Sequence, residues 1–381
     1  MTLPARVAAA LVVLATATFL PATPALAGPR DQQWYLDAMD VPQAQQVAKG
    51  AGVTIGLLTN GYPAAHPDVA GAMLPVKRFK NGLGGGSVVD APTDYPLQDD
   101  VATARAGLMA ARGGPGLLGV APAAKVQPVI CPGTGDDTET CMRWLVDNGS
   151  KVIFLSQALF TALDPGFDGM RYALAHDVVV VMSLSDGAEL PAELRTGVIL
   201  VGGSNKDTQP AGDGEPDRRV TVRAPGGDIV HSTPADQIVT LDPRSAGGYG
   251  HPVILNGDSS AAALVTGVVA LVRSQDPAMT APSAIDRILK TATDLGAPGR
   301  DNVYGYGQVD AGRALSTPTP PAAANPLGDP GEPHATWLTW QLVTVVAVIV
   351  LLLAAALLTV VMIRTRRRRL GPEQSVPSGT P

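Results

Sequence analysis

The sequence predicts an α/β fold: a mostly parallel sheet with helices on both faces, followed by one C-terminal transmembrane helix. Three observations carry this. Short apolar, partly β-branched runs such as Gly52–Leu58 and Val178–Val181 suit buried parallel strands. They alternate with helical stretches at Asp99–Ala111, Asn256–Pro277 and Ala281–Ala292. From Gln341 to Ile363 the chain is apolar apart from Gln341 and two Thr, long enough to cross a bilayer.

Taken in order, residues 1–27 read as a secretory signal peptide. Arg6 supplies the positive start, Val7–Leu20 the apolar run, and Ala25-Leu26-Ala27 a small-x-small cleavage site. Residues 28–315 form the body. From 316 to 335 the composition shifts to Pro, Ala and Thr, which predicts an extended linker without a core. Residues 336–363 follow as the membrane helix, with Trp337 and Trp340 where an interfacial belt would sit. Arg364 and Arg366–Arg369 open a basic tail, 364–381, which that charge places in the cytoplasm. The expected location is therefore the cell membrane, single-pass, with the body extracytoplasmic and the C-terminus cytoplasmic.

Composition excludes some partners. The 381 residues carry a net charge of −6 and show no basic patch on the body, so nucleic acid is not an expected partner. Cys131 and Cys141 are the two cysteines, too few for a structural zinc site. Outside the cytoplasm a disulfide between them is favoured, and two unpaired thiols are the alternative. No metal or cofactor is expected.

Asn256–Pro277 is the stretch around which the body is organised. Its small residues, Ser259, Ser260, Ala261, Ala262 and Ala263, let a buried helix pack closely, and Asp276-Pro277 closes it. A Ser in the first turn of such a helix sits beside free backbone N–H groups and the positive end of the helix dipole. That geometry suits a nucleophile whose intermediate carries negative charge.

The stretch resembles the Gly-Thr-Ser-x-Ala-Ala-Pro signature of the subtilases, the subtilisin-like serine proteases. Gly257 and Ser259 match, with Ser259 at the nucleophile position, while Asp258 replaces the Thr and Ala263 the Pro. Further resemblances run from about Gln33 to Leu315. They include the entry Gln33-Trp34, His66-Pro67-Asp68, Gly119-Val120-Ala121-Pro122 and the closing Tyr304-Gly305-Tyr306-Gly307. With signal, linker and anchor, the layout is similar to the mycosins, subtilases attached to type VII secretion systems of actinobacteria.

The resemblance also locates what has changed. Thr59, in Leu58-Thr59-Asn60-Gly61, occupies the position of the catalytic Asp. On the helix that resembles His-Gly-Thr-x-Val-Ala-Gly, with Thr103, Ala106 and Gly107 in register, Val101 stands where the catalytic His belongs. Asp186 takes the place of the oxyanion Asn. His66 corresponds to a structural His of the family. Ser156-Gln157-Ala158 would border a groove in which an extended peptide adds as a strand.

A Ser hydroxyl is a weak nucleophile without a base in reach. Loss of the His costs a subtilisin about a millionfold in turnover, and loss of the oxyanion donor about a hundred- to thousandfold. The resemblance therefore implies a pseudoprotease that binds an extended peptide or a partner in a membrane complex, such as a type VII secretion assembly. Two alternatives stay open: an active serine endopeptidase whose base is elsewhere (His231 or His251), and carboxyl-type chemistry resembling the sedolisins with Asp186, Asp99 or Asp100.

Overall fold

The Val-, Ile- and Leu-rich runs fold as strands, and the central ones bury side chains on both faces. The computed structural model describes residues 29–369 apart from 83–85, 114–115, 132–134, 156–166, 191–194, 212–215, 228–235, 243–252, 255–256 and 329–335. The strands are β1 (Thr54–Thr59), β2 (Lys77–Lys80), β3 (Ser87–Asp90), β4 (Lys125–Ile130), β5 (Ser150–Leu155), β6 (Val179–Ser183), β7 (Ile199–Ser204), β8 (Val222–Pro225), β9 (Val239–Thr240) and β10 (Val253–Ile254). The α-helices are α1 (Trp34–Ala38), α2 (Val41–Val47), α3 (Pro67–Ala70), α4 (Asp100–Ala110), α5 (Gly135–Asp147), α6 (Phe167–Ala175), α7 (Asp258–Gln275), α8 (Ala281–Thr291), α9 (Ala311–Ser316) and α10 (Thr336–Arg369).

The main sheet has the order β3-β2-β4-β1-β5-β6-β7-β8. Every pairing in it is parallel except β2 with β3, so the expected mostly parallel sheet is what forms. Alternate strand residues feed two cores. Val152, Phe154, Val179 and Val181 join α4 and α7 on one face. Ile153, Leu155, Val180 and Met182 join Met142 and Leu145 of α5 and Met170 of α6 on the other. Full burial of each such side chain stabilises by about 1.5–3 kcal/mol, which is why these strands read as continuous apolar runs.

Helix α7 runs through the first core and is buried from Ser260 to Arg273. Its small residues are needed. A Cβ on Gly267 would lie 2.6 Å from Cβ of Val120, so only glycine allows this approach. The helix stops where Asp276 turns extended ahead of Pro277. Its last turn is tied down by Arg273, whose Nη2 donates to Asp177 Oδ2 at 2.8 Å. The other Asp177 oxygen accepts the Ala281 N–H at the start of α8. One carboxylate thus joins the α6–β6 turn to both helices.

Two sequence expectations look different in three dimensions. The Pro/Ala-rich stretch after Ser316 lies against the body as far as Gly328. Arg287 Nε donates to Thr319 Oγ1 at 3.1 Å, Ala322 N–H to Ser283 Oγ at 3.0 Å, and Asn325 Nδ2 to the Gly197 carbonyl at 3.0 Å. Proline-rich chain without a core of its own still presents polar groups to a neighbour. Helix α10 continues past Ile363 through the arginines to Arg369, as Arg is a good helix former. Within it, Val345–Arg364 is long and apolar enough to cross a membrane.

The disulfide expected between Cys131 and Cys141 is not formed in this structure, which holds both as free, buried thiols. Cys131 follows β4 and Cys141 lies on α5, and the two side chains meet. The hydrogen bond to Cys131, with burial adding to it, pushes the Cys141 thiol well above its ordinary range. The Cys131 thiol also reaches Thr138 Oγ1 at 3.8 Å.

Candidate active-site cleft

In an open parallel sheet the carboxyl ends of the strands form the crevice where ligands bind. Helix α7 starts at that edge. Gly257 precedes it with φ 108°, a backbone that L side chains rarely adopt, and its N–H donates to the Gly226 carbonyl at 2.6 Å. Asp258 then clamps the helix start to two strands. Its Oδ1 accepts the Gly203 N–H of β7 at 2.7 Å, and its Oδ2 accepts the Ser185 N–H just beyond β6 at 3.1 Å. Ser259, half-buried in the first turn, is thereby fixed at the sheet edge.

The group facing Ser259 is a guanidinium. Arg105 of α4 donates through Nε to Ser259 Oγ at 3.0 Å. Its guanidinium carbon lies 5.2 Å from the ring centre of Phe154, a cation–π contact. Burial pulls Arg105 below its ordinary value, and the carboxylates of Asp186 and Asp99 oppose that shift. A guanidinium stays protonated in proteins and accepts no hydrogen bond. As placed, Arg105 can hold the Ser259 oxygen but cannot take its proton.

The predicted site residues fall around this pair in different ways. Asp99 caps α4 by accepting the Ala102 N–H at 2.9 Å, and its other oxygen accepts the Asn60 N–H at 3.1 Å. Thr59 is buried, and its hydroxyl donates to the Gly61 carbonyl at 2.7 Å, closing the turn after β1. Val101 stands one helical turn before Arg105 and is 43% exposed. Asp186 opens a short 3₁₀ turn, and its N–H donates to Ser183 Oγ at 3.0 Å. Ser156, Gln157 and Ala158 lie outside the described residues, as do His231 and His251.

The two described histidines are engaged elsewhere. His66 caps α3, its Nδ1 accepting the Asp68 N–H at 3.1 Å. His176 stacks on Tyr172 with ring centres 3.8 Å apart.

Sequence reasoning passed over Arg105. The signal was there: it is the one charged residue between Val101 and Ala111, four positions after Val101 and so on the same helix face. Asp258 reads in the sequence as a replacement of the motif Thr, and its clamp on two strands follows only from the sheet order.

The family model for Peptidase S8, described as the subtilase family, matches residues 50–307. The chain belongs to the subtilase family. Fervidolysin of Fervidobacterium pennivorans is a subtilase relative, 30% identical over 76% of this chain and 44% of its own length. Mycosin-3 of Mycobacterium tuberculosis is 26% identical over 77% of this chain and 75% of its own. Among solved subtilase structures, the MycP3 protease from the type VII (ESX-3) secretion system aligns with a TM-score of 0.58. It is 25% identical, over 78% of this chain and 91% of that one. The chain thus spans less than half the length of fervidolysin but most of the MycP3 structure. Its subtilisin-like fold accords with these relatives.

Proposed function

We propose that this subtilase-family chain is a pseudoprotease, anchored by α10 with its body outside the cytoplasm, that binds an extended peptide or a partner in a membrane complex. The observation that carries this is the Arg105–Ser259 hydrogen bond. Nucleophilic catalysis by Ser needs a group that accepts its proton. Among the described residues, the side chain hydrogen-bonded to Ser259 is instead a permanent donor, and the carboxylates that a carboxyl-type mechanism would recruit, Asp186 and Asp99, oppose the effect of burial on it. On the family resemblance, Thr59, Val101 and Asp186 stand at the Asp, His and oxyanion positions. Thr59 and Val101 carry no group that takes a proton as Asp and His do, and an ionised Asp186 brings negative charge to a site that would have to stabilise it.

Likeness to mycosin-3 and to a protease of a type VII secretion system supports a membrane secretion complex as the place of action. The apolar stretch Val345–Arg364 supports the anchor.

The test is active-site labelling of the purified full chain with a fluorophosphonate probe at pH 7 and pH 4, alongside hydrolysis of a casein substrate. No labelling and no hydrolysis are expected at either pH. Labelling of Ser259 at pH 7 would sink the pseudoprotease reading in favour of an endopeptidase with another base. Cleavage confined to pH 4 would favour the carboxyl-type alternative. Partner capture that survives Ser259→Ala would support binding without catalysis.

A further inference from the structure

Four arginines scattered in the sequence, Arg195, Arg218, Arg219 and Arg300, line one open cavity of about 450 Å³. The sequence shows no basic patch on the body, because residues this far apart meet only through the fold. Arg195 precedes β7, and Arg218 and Arg219 precede β8. The cavity therefore lies at the amino ends of these strands, the opposite edge of the sheet from Ser259.

The arginines are partly fixed in place. Asp217 takes Arg219 Nε on both oxygens, at 2.8 and 2.9 Å. Arg300 Nη2 donates to the carbonyls of Arg218 at 2.7 Å and Val220 at 3.2 Å, and its guanidinium lies 5.9 Å from the Tyr306 ring centre. Arg195 acts on the same Asp217 carboxyl and, after Arg219, helps hold it below its usual range, so one carboxylate faces both guanidiniums. A cluster of guanidiniums in a chain of net charge −6 makes a local field of opposite sign to the whole. Their planar, forked donors match the oxygens of a phosphate or a carboxylate.

The chain itself indicates where that phosphate comes from. Leu327 forms part of the cavity wall, and its carbonyl accepts the Gly197 N–H at 3.2 Å. The apolar helix α10 begins at Thr336. Between Gly328 and Thr336 an extended chain reaches no more than roughly 30 Å. If α10 spans a membrane, the crossing stretch starts at Val345, nine helical residues or roughly 14 Å further on, so the cavity is tethered within roughly 45 Å of the lipid.

We propose that this cavity binds the phosphate of an anionic phospholipid headgroup in the membrane that α10 crosses, so it rests on the membrane-anchored reading above. The lipid would hold the amino edge of the sheet toward the membrane and leave the Ser259 edge free for a partner.

Binding to the full chain in uncharged detergent is measured for dihexanoyl phosphatidylglycerol, dihexanoyl phosphatidylcholine and inorganic phosphate. Phosphatidylglycerol is expected to bind at least tenfold more tightly than the other two, and less tightly as salt rises. Arg195→Gln with Arg218→Gln should lower its affinity at least tenfold without changing Tm, and Arg218→Glu alone should lower it too. Equal binding of the two lipids, or an unaffected double variant, overturns the proposal. Inorganic phosphate binding as tightly as phosphatidylglycerol overturns the lipid source. Short-chain lipid reaches the cavity without a bilayer, so these results are independent of the anchor. Alkaline carbonate extraction of cell membranes reads the anchor separately, with the chain expected in the pellet.

Discussion

Arg105 Nε and Ser259 Oγ are 3.0 Å apart, with the guanidinium donating and the hydroxyl accepting. The pair joins the middle of α4 to the first turn of α7, at the carboxyl edge of the sheet. Once the hydroxyl oxygen is committed as an acceptor to a permanent cation, nothing in the pair can carry a proton away.

The first prediction concerns stability. Arg105→Met removes a hydrogen bond from a charged donor and the contact with Phe154, and leaves Asp186 and Asp99 uncompensated. A charged hydrogen bond of this kind is worth about 1.5–3 kcal/mol. Thermal unfolding of the detergent-solubilised full chain should show a Tm lower by several degrees. An unchanged or higher Tm would mean that the guanidinium contributes nothing to the fold.

Rebuilding the proton path should restore chemistry. Val101→His alone should stay inert, because Arg105 still holds Ser259 and no carboxylate orients the new imidazole. Combined with Thr59→Asp, Arg105→Val and Asp186→Asn, it should raise hydrolysis of an activated ester. A positioned general base contributes about 10²–10⁴-fold. If the combined variant folds and shows no gain over Ser259→Ala, the assigned positions are wrong.

Asp258 is predicted to be structural. Asp258→Ala strands the part-buried Gly203 N–H at the sheet edge, at about 1–3 kcal/mol, and leaves the exposed Ser185 N–H to water. Asp258→Asn retains one accepting oxygen and should lose about half as much. Tm measured for both variants separates the two, and equal losses would argue that charge rather than hydrogen bonding holds the helix start.

For the thiols, the chain recovered from an oxidising compartment should carry a Cys131–Cys141 disulfide, since the side chains already meet. Maleimide labelling after denaturation without reductant should then be absent, and it should appear after reduction. In the reduced chain the raised Cys141 thiol keeps little thiolate at neutral pH. Alkylation by iodoacetamide at pH 8 should therefore be slow until the chain is unfolded.

How far the sequence could go is clear from particular elements. The doubly covered sheet was legible because its strands must be apolar on both faces, as Val178–Val181 is, and its helices must end where Asp276-Pro277 ends one. Edges were less legible: Gly52–Leu58 is observed as Thr54–Thr59, and Asn256–Pro277 as Asp258–Gln275. At the cleft, Ser259 was found from its motif, whereas Arg105 passed as an ordinary helix residue. Its meaning depends on a partner far away in the chain.

The sequence by itself determined the order of strands and helices, the helix that begins with Ser259, and the apolar C-terminal span, since each rests on local periodicity and local chemistry. Only the tertiary structure decided that Arg105 closes on Ser259, that Asp258 clamps two strands, and that four separated arginines share one cavity. Those are contacts between elements, and their energies depend on distances that no stretch of sequence contains.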